Sequence, residues 1–398
     1  MLRRAALLAL ILTTACNADL TRPPESEAPA LRGAGSGPGF LSLPVDDAVW
    51  SMAYGVSEGG WAAGEIDLDD TDWHAARWRI AAQGGSAHAT LDDLGKLNGR
   101  ATIAFDVNVR GDVVGGSVEL STGIGSGPDE AFVYRNHSMQ ALPTLGGASA
   151  FARRINNLGV IAGQSETADG ESHATVWRPR AGGGYTAIDL GTLGGSFSWC
   201  NTIDDFGRVV GLSETETGAI VAWTWDGHGP LRRLRSLTPG GDNFAVDNNL
   251  WGIVVGNGSD GNGNLHAARW SHGGVQDLHG RFPGFEQSLA TGVSLANDIV
   301  ASAYDADFNP SAFLLRGNQR IDLGAAAGTP SSDVYDISDL GWIAGGSGAD
   351  GTFTAGLWLP GGLASVAALH ESSAARHTTA GREVTRLHQR ALRSLRTR

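Results

Sequence analysis

The stretch DLGTLGGSFSWCNTIDDFGRVVGLS, residues 189–213, decides the fold because it has a near-copy earlier in the chain. That near-copy is LPTLGGASAFARRINNLGVIAGQS, residues 142–165. Both segments place a turn glycine directly before a short strand of small and branched residues. Recurrence at a regular spacing is the signature of a repeat architecture, so these two copies indicate a longer series of repeats.

The turn residue sets the length of the repeat. It recurs seven times, at steps of 51, 48, 48, 45, 45 and 44 residues. The seven positions are Gly60, Gly111, Gly159, Gly207, Gly252, Asn297 and Gly341. Three residues earlier, every unit has Ser, Asn or Asp, which favours a type I turn that closes a hairpin. Asn297 stands where glycine is missing, and Asn tolerates the left-handed conformation better than most residues.

Each unit predicts four short strands. The turn is followed by a second strand such as RVVG, a variable loop, a third strand with an Ala-x-x-Trp pattern, and a fourth strand such as IDLGTLGG. We expect the large residues of the third strands to be buried between units, because burial of one aromatic contributes roughly 2–3 kcal/mol. These residues are Trp78, Tyr134, Trp177, Trp225, Trp270, Leu315 and Trp358. Cys200 lies in a column of small apolar residues on the first strand, which predicts an inert core thiol.

Units of this length with four strands are typical of propeller blades. The sequence therefore predicts an all-β fold, a seven-bladed β-propeller of four-stranded blades over residues 40–369, with an open solenoid as the alternative. Phe40 to Leu43 resemble a fourth strand, and we expect them to pair near residues 363–369 and to close the ring. Residues 370–398 hold seven Arg and two Glu, which predicts a short basic amphipathic helix or a disordered, solvated tail.

The combined motifs resemble the HAF-repeat family of exported bacterial proteins. Asp189–Gly195 matches the family's Leu-Gly-Gly motif, and the His-Ala pairs at residues 173–174 and 266–267 match the motif behind its name. The resemblance covers residues 48–369 and is weakest in the sixth unit, which departs at Asn297, Ala301 and Leu315. It implies export and a repeat scaffold, and it supplies no catalytic residues.

The N-terminal segment predicts export. MLRRAALLALILTTAC, residues 1–16, has a basic start and an apolar stretch too short to span a membrane, so residues 1–15 are interpreted as a signal peptide. Thr13 to Cys16 resembles a lipobox, which would make Cys16 a lipidated N-terminus; an ordinary cleaved signal is the alternative. Residues 16–39 are rich in Pro and Gly and predict a flexible stalk. We expect a protein lipid-anchored to the outer membrane or cell surface, or alternatively secreted or periplasmic.

The variable loops after the second strands carry the residues expected to form the binding face: Asp67, Asp69, Asp260, Asp305 and Asp307. Function tends to lie on variable loops that a rigid scaffold holds in place. Two of these loops alternate oxygen side chains as calcium loops do: Asp260, Asn262 and Asn264 in one, and Asp305, Asp307 and Asn309 in the other. The alternative is that Asp and Asn simply form good turns, and no other cofactor or metal is expected.

Two further columns have open interpretations. The position five residues before each turn residue is the most polar of the first strand, and it predicts either the lining of a central channel or charges paired between blades. Its residues are Gly55, Asp106, Arg154, Thr202, Asp247, Gly292 and Asp336. His74, His173 and His266 precede the Ala of their third strands, and we expect them to bond backbone groups at strand ends.

The chain has no recognisable catalytic motif, so two functions are kept. The first is a non-catalytic binding or scaffold propeller in the cell envelope, a monomer with a protein or glycan ligand. The second is an envelope polysaccharide hydrolase or lyase, which should show one or two carboxylates and aromatic residues converging at one end of the channel. The formal net charge of −13 argues against a nucleic-acid partner.

Overall fold

The computed structural model describes residues 39–46, 48–69, 72–83, 86–119, 129–326, 328–349 and 352–359. These residues form 28 strands and one short 3-10 helix, His279–Arg281, so the all-β prediction is confirmed. Within the described ranges, no helix has the length and apolar character needed to cross a bilayer. The signal segment, Cys16 and the basic tail lie outside the described residues.

The strands follow one another in the order that the repeat predicts. They are β1 (Gly39–Ser42), β2 (Trp50–Ser57), β3 (Trp61–Asp67), β4 (Trp73–Gln83), β5 (Ser86–Gly95), β6 (Ala101–Val107), β7 (Val113–Val118), β8 (Glu130–Arg135), β9 (Ser138–Ala141), β10 (Gly146–Ile155), β11 (Ile161–Thr167), β12 (Ser172–Pro179), β13 (Tyr185–Asp189), β14 (Gly194–Ile203), β15 (Val209–Thr215), β16 (Ile220–Trp225), β17 (Arg232–Arg233), β18 (Asn243–Asn248), β19 (Val254–Ser259), β20 (Leu265–Ser271), β21 (Gly274–Asp277), β22 (Gln287–Val293), β23 (Ile299–Tyr304), β24 (Pro310–Arg316), β25 (Gln319–Asp322), β26 (Ser331–Ile337), β27 (Ile343–Ala349) and β28 (Thr352–Leu359).

The strands form antiparallel sheets of four. Five sheets have four strands each: β2–β5, β6–β9, β18–β21, β22–β25, and β26, β27, β28 with β1. The remaining eight strands, β10–β17, form one sheet whose two halves are joined by a single parallel pair, Ser172 with Phe197. Each half has the same four-strand order as the other sheets. We call each set of four strands a unit.

The N-terminal strand completes the last unit. β1 pairs antiparallel with β28, with Phe40 opposite Trp358, and the two rings meet edge to face at 4.9 Å. The expectation that Phe40 to Leu43 serve as a fourth strand is thus confirmed for β1. Their partner among the described strands is β28, because β28 is the Ala-x-x-Trp strand and presents the edge that a fourth strand pairs with. Residues 363–369 lie outside the described part of the chain.

The first and last units are in direct contact. The Val56 amide donates to Asp336 Oδ2 at 2.9 Å, and the Ala355 amide donates to Ser51 Oγ at 2.9 Å. An open solenoid keeps its terminal units apart, so these contacts argue against that alternative.

The core lies between units, as the repeat predicts. Every member of the third-strand column of large residues is buried, with exposed fractions from 0% to 8%. The indole of Trp78 donates to the Pro44 carbonyl and that of Trp177 to the Pro143 carbonyl, each at 2.7 Å. Cys200 is fully buried, and burial raises the pKa of its thiol to about 12. Both columns are therefore packing positions, and an aromatic ligand platform is not needed to explain the Trp residues.

Candidate functional site

The seven predicted turns form one end of the molecule, which we call the turn end. In every unit the turn residue donates its amide to the carbonyl three residues earlier, at 2.9–3.1 Å. All seven turn residues have a positive φ, and Asn297, at 64°, adopts the left-handed conformation as expected. The variable loops after the second strands lie at the opposite end, the loop end.

Side chains at the turn end also join neighbouring units. Asn108 Nδ2 donates to the Asn156 carbonyl at 3.3 Å, and Asn156 Nδ2 donates to the Asp204 carbonyl at 3.0 Å. The same column bonds its own turn, since Asn156 Oδ1 accepts from the Leu158 amide at 3.0 Å. The sequence indicated only the local bond, because the partner in the next unit is 48 residues away.

The polar column of the first strands meets at the centre of the turn end. Arg154 Nη1 lies 3.3 Å from Asp106 Oδ1 and 3.0 Å from Asp336 Oδ2, and all three side chains are nearly buried. Burial lowers the pKa of Arg154, but the charges of Asp336, Asp106 and Asp247 outweigh it and raise that pKa. Burial raises the pKa of Asp247 to about 6, and the Arg154 charge opposes this shift. The charges of this column therefore pair between units. Its charged residues also line the cavity at the centre of the turn end, so both interpretations of the column apply.

The same carboxylates accept hydrogen bonds from the backbone of the next unit. Asp106 Oδ2 accepts from the Ile155 amide and Asp247 Oδ2 from the Val293 amide, each at 2.8 Å. Asp336 accepts from Val56 in the same way, across the contact between the last and first units. These carboxylates are thus engaged in holding units together.

A cavity of about 150 Å³ opens at this end, with the buried cluster at its base. Its lining includes Glu58, Asp205 and Asp339, and desolvation together with the Asp339 charge raises the pKa of Glu58 to about 8. Two large apolar residues in the adjoining turns are exposed, Trp251 at 52% and Leu340 at 45%. The mouth is therefore acidic, and two apolar side chains are exposed in turns beside it.

A second group of carboxylates lies beside aromatic rings. The Tyr54 ring contacts those of Phe105 and Tyr335, with centroids 5.9 Å and 5.0 Å apart. The Tyr54 hydroxyl donates to Glu65 at 2.7 Å, and the Tyr335 hydroxyl donates to Asp333 at 3.0 Å. Burial raises the pKa of Glu65 to about 8 and that of Asp333 to about 6. Glu65 was not among the predicted site residues, although the sequence contains a signal for it. Glu65 is the only acidic residue in its column, since the other units have Gly, Gln, Leu, Asn or Ser at that position.

The five acidic residues expected on the binding face belong to three units. Asp67 and Asp69 are near the end of β3, Asp260 follows β19, and Asp305 and Asp307 follow β23. Asp67 is buried, whereas Asp69 and Asp307 are exposed. Their role in binding a partner stays a prediction.

The calcium candidates form turns. Asp260 Oδ1 accepts from the amides of Asn262 and Asn264, and the carboxylate also accepts from both side-chain amides. In the other loop, Asp305 accepts from the amides of Asp307 and Asn309 and from the Asn309 side chain. Among the described residues, no three His, Cys, Asp or Glu side chains are grouped so as to hold a metal ion.

The three histidines bond carboxylates, which corrects the expectation of backbone partners. His74 pairs with Asp93 at 2.9 Å, His173 with Asp189 at 2.9 Å, and His266 with Asp277 at 2.8 Å. Each Asp stands on the fourth strand, which pairs with the strand of the histidine and brings the carboxylate within reach. Asp189 also accepts from the Gly191 amide at 2.7 Å, which explains the Asp-Leu-Gly motif.

No family model matches this sequence, and no curated protein matches it. The fold is similar to a streptogramin B lyase structure, with a TM-score of 0.47 and 12% identity over 80% of this chain and 97% of that one. It is also similar to a puromycin hydrolase, with a TM-score of 0.47 and 14% identity over 77% of this chain and 52% of that one. A BP39L lectin from Burkholderia pseudomallei gives a TM-score of 0.45 and 9% identity over 79% of this chain and 97% of that one. At these values the likenesses support neither a shared activity nor a shared ligand.

Proposed function

We propose that this chain is a seven-bladed β-propeller that binds a partner without catalysis. Seven sequence units correspond to seven sets of four strands, and the contacts of Val56 with Asp336 and of Ser51 with Ala355 join the last unit to the first. The pairing of β1 with β28 supports a ring, because it ties the N-terminal segment to the last blade and gives that blade the four strands that the others have.

One observation carries the non-catalytic proposal: the carboxylates at the axis are engaged. Asp106 and Asp336 bind Arg154, and each also accepts a backbone amide of the next blade. A catalytic acid or base needs access to the reacting atoms of a substrate. Here the same groups stabilise the scaffold, so the convergence of carboxylates at the axis has a structural explanation.

We infer that binding uses the turn end, although the sequence favoured the loop end. The acidic mouth and the exposed Trp251 and Leu340 offer polar and apolar contacts together. The loop end also has an exposed apolar side chain, Phe308 at 62%, and carboxylates at both ends accept hydrogen bonds within the scaffold. What favours the turn end is the cavity that its acidic residues line. The partner we propose is a protein or glycan of the bacterial envelope.

The location is proposed from the N-terminal sequence. The signal segment and Cys16 support export and lipid anchoring, and the repeat motifs support membership of the HAF-repeat family. A lipid anchor on Cys16 would keep the propeller near the membrane surface.

A second candidate function, a polysaccharide hydrolase or lyase, is favoured by Glu65 and Asp333. Two carboxylates with raised pKa values stand beside tyrosine rings that contact each other. Pairs of carboxyl groups with different pKa values are typical of glycoside hydrolysis. Both side chains are buried, at 1% and 8% exposure, so this function requires a path for the substrate.

One set of variants separates these possibilities. The chain from residue 17 onward is screened on glycan and envelope-protein arrays, and the variants Trp251→Ala, Leu340→Ala and Asp307→Lys are compared on each hit. If the partner binds at the turn end, Trp251→Ala and Leu340→Ala should weaken binding. Asp307→Lys should then bind as tightly as the unaltered chain. Weakening by Asp307→Lys alone would place the partner at the loop end. Glycan cleavage that is lost in Glu65→Gln would support the enzyme.

A further inference from the structure

A second, larger cavity lies at the rim of the turn end. It has a volume of about 560 Å³, within the range of small-ligand sites. It is formed by the first three units, and its lining includes Trp61, Arg77, Arg110, Asp112, Arg135 and His137. It therefore belongs to residues different from those of the acidic mouth.

Two guanidinium groups share one carboxylate in this cavity. Arg110 Nη2 lies 2.9 Å from Asp112 Oδ2, and Arg135 Nη2 lies 2.8 Å from the same oxygen. The two arginine side chains are 46% and 32% exposed, whereas that of Asp112 is 9% exposed. The lining thus carries more positive than negative charge in a chain whose formal net charge is −13.

Arg77 also lines the cavity, but a carboxylate outside the lining pairs with its charge. Its guanidinium stacks on the Trp61 ring at 4.6 Å and is held by Asp92, at 2.7 Å from Nη2. These two contacts hold the Arg77 guanidinium in the wall of the cavity.

The two exposed guanidinium groups converge. A Cβ atom added at Gly159 would lie 2.8 Å from Arg135 Nη2 and 3.3 Å from Arg110 Nη2. Both guanidinium groups therefore lie together against the backbone of Gly159, where a side chain would clash with them. A guanidinium has five N–H donors in a fixed planar fork, and its planar geometry matches that of an oxyanion.

The repeat supplies an internal comparison. Arg316 and Asp298 occupy the positions of Arg135 and Asp112 in the sixth unit, and they pair in the same way at 2.7 Å. Ala296 stands there in place of Arg110. The Arg–Asp pair is thus a repeated structural contact, and the second arginine is what distinguishes the cavity.

We propose that this cavity binds an oxyanion between Arg110 and Arg135, as the carboxylate of a sugar acid or as a phosphate group. The anion would receive hydrogen bonds from both guanidinium groups, with Asp112 holding the two side chains in place behind it. The cavity has room for a sugar ring attached to the anionic group. This site is separate from the proposed binding function at the acidic mouth and does not rest on it.

Calorimetric titration of the full mature chain with glucuronate, inorganic phosphate and glucose tests the proposal. At least one of the two anions should bind, and glucose should not. Arg110→Ala, which reproduces the arrangement of the sixth unit, should weaken binding of that anion about tenfold or more. Arg316→Ala is the matched control and should leave binding unchanged.

Glucuronate binding without phosphate binding identifies a sugar acid, and the reverse identifies a phosphate group. The proposal is overturned if neither anion binds, if Arg110→Ala binds as the unaltered chain does, or if Arg316→Ala weakens binding equally. Since Ala296 is tolerated beside the Arg316 pair, Arg110→Ala is expected to fold, which its melting temperature verifies.

Discussion

Replacing Arg154 by methionine should destabilise the protein by about 3–5 kcal/mol at pH 7, the usual cost of removing one partner of a buried ion pair. Arg154 faces Asp106 and Asp336 with 13% of its side chain exposed, against 9% and 8% for the two carboxylates. Methionine fills similar space but leaves both carboxylates without their cation. The backbone amides of Ile155 and Val56 still donate to them, so complete unfolding is not expected.

The cost should depend on pH. Burial raises the pKa values of Asp106 and Asp247, that of Asp247 to about 6, and the Arg154 charge lowers both. An acid whose folded-state pKa is raised contributes stability below its unfolded pKa of about 4 and loses it as pH rises through the folded pKa. Without Arg154 these pKa values rise further, so the deficit of Arg154→Met should be small near pH 4 and should grow towards pH 7.

Urea unfolding at pH 4.5, 5.5 and 7 measures this deficit. Arg232→Met is the control, since Arg232 pairs with Asp226 at the surface with 59% of its side chain exposed, and it should cost less than about 1 kcal/mol. The triple variant Asp106→Asn, Arg154→Met, Asp336→Asn should recover most of the loss. A cost below about 1 kcal/mol at pH 7, or one that does not change with pH, would refute the reasoning.

Three further predictions follow from the packing and from the N-terminal sequence. Trp177→Ala should cost about 3–5 kcal/mol in urea unfolding because the residue is fully buried, while a ligand at the turn end should bind the folded fraction unchanged. The Cys200 thiol, with a pKa of about 12, should not react with a thiol reagent at pH 8 until the protein is unfolded by denaturant. Mass spectrometry of the mature N-terminus should find lipid on Cys16, and an unmodified terminus elsewhere would contradict the anchor.

The features that could be predicted from the sequence are those that repeat. The turns at Gly60 and its six equivalents are local, since each depends on four consecutive residues, and Asn297 was interpretable because it departs from a clear pattern. The buried Trp column was predictable for the same reason. A side chain in a repeated position meets similar surroundings in every unit.

The candidate sites depend on contacts between units and could not be predicted in the same way. The Arg154–Asp336 pair joins the third and seventh units, and no spacing in the sequence indicates which units face each other across the axis. The convergence of Arg110 and Arg135 at Gly159 involves a turn and a strand end of the second unit and a turn of the third. The aspartate partners of the three histidines could have been predicted from the sequence. All three units with His before Ala also have an Asp-Leu pair on the fourth strand.

The pairing of β1 with β28 has a consequence for assembly. β1 is synthesised first among the described strands and β28 last, so the other sheets can form from neighbouring hairpins while the edge of β28 still displays unpaired backbone groups. Pairing between distant chain segments is slow, because the loop between them must close first. During that interval the β1 segment of another copy fits the edge of β28 as well as the protein's own. Strand exchange between molecules is therefore the expected misassembly, and its yield should rise with protein concentration during refolding.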